Sequence, residues 1–127
     1  MIDLSVTPLY AALLTVIFLI LSARVILVRR DQKIAYGSGD NTDNEALIRA
    51  HANWAEYVPI AVVLLLVAEL QGVSPVWLHI CGLALLIGRG LHGYGMGFNR
   101  KFFAGRVTGT ALTLTTLCLL VVVNLFA

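Results

Sequence analysis

Charge is what this chain has least of. Only 13% of its 127 residues are Asp, Glu, Lys or Arg, about half the roughly 25% usual in soluble domains. A chain this short has too much surface to do without that charge, which excludes a water-soluble monomer. Cysteine is scarce as well. Cys81 and Cys118 both lie inside apolar runs, so neither a disulfide scaffold nor a secreted mini-protein fits. No Cys/His spacing suits a metal, so no metal site is expected; nor is there a Gly-rich phosphate loop ahead of a helix or a supported Ser–His–Asp set. The basic residues lack the stacking platform of a nucleic-acid binder, so no nucleic-acid partner is expected. What abounds is apolar sequence, 59% hydrophobic with a mean hydropathy of +0.88. The expectation is an integral membrane protein of one domain.

A spanning helix needs about 20 mostly apolar residues, and four stretches meet that length: 6–28, 46–71, 75–97 and 107–126. They lack the strict alternation of barrel strands and are about twice too long for them. The fold class is therefore an all-α integral membrane protein, a four-transmembrane-helix bundle. The first stretch has Asp3 ahead of it and Arg24, Arg29, Arg30 and Lys33 at or beyond its end, the reverse of a signal peptide's polarity. It reads as a retained helix, with Arg24 close enough to the end to snorkel. The nine basic residues flank the first and third loops and avoid the second. The positive-inside rule then makes loops one and three cytoplasmic and both termini periplasmic. The first loop is rich in turn formers, and Asn44 with Glu45 is expected to cap the second helix.

An ionisable residue in a membrane helix is a functional candidate by default. Arg49, Asn53 and Glu56 share one face at i, i+4 and i+7, with Tyr57 at its border. A guanidinium fork, an amide, a carboxylate and a phenol suit a zwitterionic polar ligand; the same groups also suit interhelical contacts that hold a bundle together. His51 points off that face and reads as packing or a headgroup contact, and Glu69 as a solvated carboxylate at the outer end. In the third helix Arg89 and His92 share a face, and Arg89 serves equally as a buried partner for Glu56 or as a ligand contact. Gly93/Gly97 and Gly105/Gly109 are close-packing pairs. Arg100, Lys101 and Arg106 lie between helices three and four. Arg106 is either a topology anchor or a part of the cytoplasmic polar cluster.

The segment from Arg49 to Pro59 (R-A-H-A-N-W-A-E-Y-V-P) resembles the membrane-associated proteins in eicosanoid and glutathione metabolism, the MAPEG family, and most of all its short bacterial members. Gly88-Arg89-Gly90-Leu91-His92 and the arginine opening the fourth helix are similar too, and the resemblance covers nearly the whole chain. It implies a homotrimer in the bacterial inner membrane with glutathione as co-substrate bound between subunits. On the matching positions, Arg49, Asn53, Glu56 and Tyr57 would hold the tripeptide, joined by Arg29, His92 and Arg100. Arg106 would be the catalytic residue that stabilises the thiolate, with Arg100 as second choice. A guanidinium stays charged and favours an ionised thiol, whose free pKa is about 8.5. The implied activity is a glutathione-dependent transferase or peroxidase of the microsomal type, acting on lipophilic electrophiles from the bilayer. The alternative is a non-catalytic binding or scaffold protein of the same family. Two departures stand out: Met96 occupies the position where many family enzymes carry a second tyrosine, and the loop before Arg106 is short.

Overall fold

The structure, a computed structural model, describes residues 3–127. Four helices follow in order, α1 Val6–Asp31, α2 Thr42–Leu70, α3 Pro75–Gly97 and α4 Phe103–Phe126. Each is long and apolar enough to cross a membrane, and the described residues include no strand. The central pair is α2 and α3. Helix α1 packs on both from one side and α4 on both from the other, and α1 and α4 do not meet.

Two of the helices start a turn ahead of the apolar runs that announce them. Helix α2 begins at Thr42 because Asn41, not Asn44 as the sequence leads one to expect, is its cap. The Asn41 Oδ1 accepts from the backbone N–H of Asp43 (2.9 Å) and of Asn44 (3.1 Å). The Asn44 amide is committed elsewhere, donating to Gln32 Oε1 and to the carbonyl of Ser38, which folds the first loop against the helix. Helix α4 begins at Phe103, so Arg106 lies within its first turn rather than ahead of it. At the far end, α2 closes with Gly72 in the left-handed region (φ +82°), the Val73 N–H bonding the Ala68 carbonyl and the Gly72 N–H bonding that of Glu69. Pro75 then opens α3 with a φ already suited to a helix.

Glu69 is not the solvated carboxylate its sequence position indicates. Its Oε1 accepts from the N–H groups of Ser5 (2.9 Å) and Val6 (2.8 Å), and its Oε2 from that of Thr7 (2.7 Å). One carboxylate from the end of α2 thus satisfies three orphan donors at the start of α1, where the Ser5 side chain makes no capping bond. This clasp fixes α1 against α2 at the end of the bundle where α1 begins and α2 stops.

The core has two parts. Leu14, Val58, Ala61, Leu65, Leu85 and Leu120 belong to a large cluster at one end, and Leu21, Val25, Leu47, Ala50 and Met96 to a smaller one at the other. Helices α3 and α4 approach most closely. A Cβ on Gly109 would run into the Gly88 carbonyl and come within 2.7 Å of the His92 backbone nitrogen, so backbone, not side chain, fills that space. Gly97, by contrast, faces Leu21 of α1 and Leu47 of α2.

Candidate functional site

At the end of the bundle where α2 and α4 begin and α3 stops, an open groove of about 740 Å³ is lined by Thr42, Glu45, Ala46, Ile48, Arg49, Ala52, Gly95, Met96, Arg100, Lys101, Phe103 and Arg106. At its edge Gly95 lets α3 close onto the start of α4: a Cβ there would lie 2.8 Å from the Phe102 carbonyl. Four cations converge on this space, against the single carboxylate of Glu45.

They are not equivalent. Arg49 donates from Nη1 to Glu56 Oε1 (2.8 Å) and from Nη2 to Oε2 (2.9 Å), a two-pronged pair along α2 with both side chains about half exposed. Arg100 is paired with Asp43 (2.6 Å), tying the last loop to the start of α2. Lys101 and Arg106 have no carboxylate partner among the described residues. Arg106 stands over the Phe103 ring at 5.9 Å in the first turn of α4, where the unpaired N–H groups of the helix add to the positive potential.

Deeper in the bundle lies a second polar group. Arg89 is only 2% exposed, and its partner is not Glu56, which Arg49 occupies. Its Nε donates to Thr113 Oγ1 (2.9 Å) and its Nη1 to Asn53 Oδ1 (2.6 Å), with its guanidinium 6.0 Å from the Tyr57 ring centroid. A buried cation thus joins α2, α3 and α4 through neutral oxygens alone, and the Asn53 oxygen it uses is unavailable to a ligand. The Asn53 amide N–H groups remain unused by other described residues.

The sequence-derived candidates therefore divide. Arg49, Arg100 and Arg106 meet in the groove. Glu56 lies beside it on the exposed face of α2, while Asn53 and Tyr57 gather around Arg89. His92 is buried against α4 and does not line the groove. Arg29 lies apart, its Nε donating to the Gly37 carbonyl in the first loop (3.3 Å). His51 packs between helices, bonded to Ser22 Oγ (2.8 Å) and stacked on Phe18. Sequence reasoning passed over Lys101 and Glu45 as lining residues; their signal is adjacency, Lys101 following Arg100 and Glu45 lying one helical turn before Arg49. No group of three or more His, Cys, Asp or Glu able to hold a metal occurs among the described residues.

The exposed face of α2 continues from this site. Arg49, Glu56, Ile60, Val63 and Val67 fall within about 40° of one line at 100° per residue, and all five are exposed. Glu56 lies about 21 Å along the helix axis from Thr42, near the middle of α2, and a charged pair facing lipid within a span is costly.

Residues 7–126 match the family described as MAPEG family. The chain is also similar to the proteins named inner membrane protein YecN of Escherichia coli strain K12 and of Escherichia coli O6:H1. Identity is 39% over 121 residues in each case, covering 95% of this chain and 91% of the relative.

Proposed function

This chain belongs to the MAPEG family and is a multi-pass inner membrane protein, and from that premise we propose that it binds glutathione in the groove between α2, α3 and α4 and activates its thiol. The observation that carries the reading is the convergence of Arg49, Arg100, Lys101 and Arg106 on one open space. Its volume falls within the range of about 300–1,000 Å³ usual for small-molecule sites. Glutathione brings two carboxylates and a thiol. Lys101 and the Arg49–Glu56 fork offer partners for its carboxylates and ammonium, and the Asn53 amide N–H groups offer donors to a carbonyl. Arg106, unpaired and at a helix N-terminus, is the group suited to a thiolate; Arg100 carries Asp43 already. The thiol proton leaves to water. The thiolate then bonds to an electrophilic carbon of a lipophilic molecule from the bilayer and displaces its leaving group as an anion, or adds to an activated double bond whose electron pair takes a proton from water. With a hydroperoxide it bonds to the terminal oxygen as the O–O bond breaks and the alkoxide leaves as the alcohol after protonation; a second glutathione then reduces the sulfenic acid to the disulfide and water.

The unit that performs this is a homotrimer. The exposed α2 stripe, charged at one end and β-branched at the other, is better covered by a second copy than by lipid, and Arg29 is then free to contribute to a neighbour's site. The placement of the basic residues orients loops one and three, and with them the groove, toward the cytoplasm, and both termini toward the periplasm.

A second reading has its own observation. The closed Arg49–Glu56 pair already satisfies two of the expected ligand contacts, which suits a non-catalytic scaffold built on the same trimer. Calorimetric titration of glutathione into the full chain in detergent separates the two. Saturable binding that Arg49→Leu weakens at least tenfold supports the glutathione site, and no binding by the wild-type protein overturns it.

A further inference from the structure

On the opposite side of the bundle from the groove, α1 and α3 enclose a second depression. Gly90 and Gly93 leave the α3 face bare opposite Ile17, Ile20 and Leu21, and Tyr94 and Phe98 close it into an apolar channel of about 200 Å³. Phe98 also lines a polar cleft of about 150 Å³ that contains Arg24, Asp43 and Arg100. Phe98 is thus a wall of both spaces. Arg24 lies on the same α1 face, seven residues after Ile17. Its Nε donates to the Gly97 carbonyl (2.7 Å) and its guanidinium stacks over Phe98 at 4.4 Å. The remaining N–H groups of Arg24 have no partner among the described residues. Asp43, the acid of the cleft, is taken by Arg100. The apolar pocket and the polar cleft thus have Phe98 as a common wall beside a fixed cation with donors to spare, and Arg29, Arg30 and Lys33 follow on the next turns.

We propose that the α1–α3 channel holds an acyl chain of an anionic phospholipid whose phosphate sits on Arg24. Charge complementarity selects the lipid: a guanidinium fork matches a phosphate, and the basic rim disfavours a headgroup carrying its own ammonium. The glycines give the chain its room, and the stack on Phe98 holds the arginine at the depth of a phosphate rather than letting it extend into water. The site is independent of glutathione binding.

The test uses the purified full chain in mild detergent, with native mass spectrometry counting retained phosphatidylglycerol and phosphatidylcholine of identical chains. The wild-type protein is expected to retain phosphatidylglycerol preferentially. Arg24→Gln should reduce phosphatidylglycerol retention about fivefold, the effect of one basic residue at a membrane surface, and leave phosphatidylcholine unchanged; Arg24→Lys should restore most of it. Gly90→Leu should lower retention of both lipids by filling the channel. A Cβ at Gly90 meets nothing within 4 Å, so Gly90→Ala, which adds that atom alone, is the folding control and should retain both lipids. Phosphatidylglycerol with a photoreactive acyl chain should label 17–21 and 90–98. Equal retention of both lipids by the wild-type protein, or an Arg24→Gln variant indistinguishable from it, overturns the proposal. Labelling spread evenly over the four helices does the same, as does competition by glycerol phosphate alone at the lipid's own concentration.

Discussion

Replacing Asn53 with leucine removes the acceptor of a 2.6 Å bond from a guanidinium that is 2% exposed and has no carboxylate near it. A hydrogen bond to a charged group is worth about 1.5–3 kcal/mol, and leaving the buried donor unmet carries that cost in full. Asn53→Leu should therefore lower stability by about 2–3 kcal/mol. Arg89→Leu removes the same bond and the one to Thr113 Oγ1, but it also removes the burden of keeping a cation away from water. Once Arg89 is gone, the leucine at position 53 has no unpaired donor to offend. The double variant should thus be more stable than the sum of the two single changes by about 1.5–3 kcal/mol. Reversible unfolding in mixed micelles titrated with sodium dodecyl sulfate, followed by circular dichroism, measures all four corners of the cycle. Additivity within about 0.5 kcal/mol would mean that the two side chains do not share this bond, and the buried clamp would be refuted.

Four other outcomes follow from the structure. Glu69→Ala should destabilise the bundle by about 2–4 kcal/mol in the same unfolding assay, because three N–H groups of α1 lose a charged acceptor; an unchanged midpoint contradicts the clasp. Gly109→Val should cost at least about 1–3 kcal/mol, since its Cβ meets α3 backbone that cannot move aside. Gly90→Ala, open to space, should be neutral or gain up to about 1 kcal/mol, and equal losses at the two positions would refute the packing argument. Native mass spectrometry should find trimers in mild detergent, and charge-reversed Arg49→Glu should shift them to monomers; monomers alone from the wild-type protein count against the α2 seam. With Cys81 and Cys118 replaced by serine, Tyr36→Cys, at a position 85% exposed in the first loop, should react with an impermeant thiol reagent only after the inner membrane is opened. Labelling in intact periplasm-accessible cells reverses the orientation.

Four helices in a membrane could be read from the sequence because length and hydropathy are properties of each run by itself. So could the shared face of Arg49 and Glu56, since a seven-residue spacing returns to the same side of any α-helix. What spacing cannot say is which neighbour stands opposite. Arg89 was an equal candidate for Glu56 until the structure placed Asn53 and Thr113 against it, and that depends on the order of helices around the bundle. Glu69 looked free for the same reason: its three partners lie more than 60 residues away, at the start of α1. Asn41 and Asn44 are both good capping residues, and only the fold of the first loop, which engages Asn44, decides between them. Gly95 allows a close approach to the start of α4, a role visible only once α3 and α4 touch.

The most direct test of the glutathione reading is ultraviolet thiolate absorbance, recorded by stopped flow as glutathione is mixed with the full chain in detergent. Arg106 stands unpaired in the first turn of α4, whereas Arg100 is neutralised by Asp43. The account predicts a thiolate signal at neutral pH that Arg106→Leu abolishes, although glutathione still binds, and that Arg100→Leu preserves. A tenfold shift toward thiolate needs only about 1.4 kcal/mol of differential stabilisation, well within reach of one guanidinium. Glutathione that binds with no thiolate signal in the wild-type protein, or a signal that survives Arg106→Leu and is lost in Arg100→Leu, contradicts it.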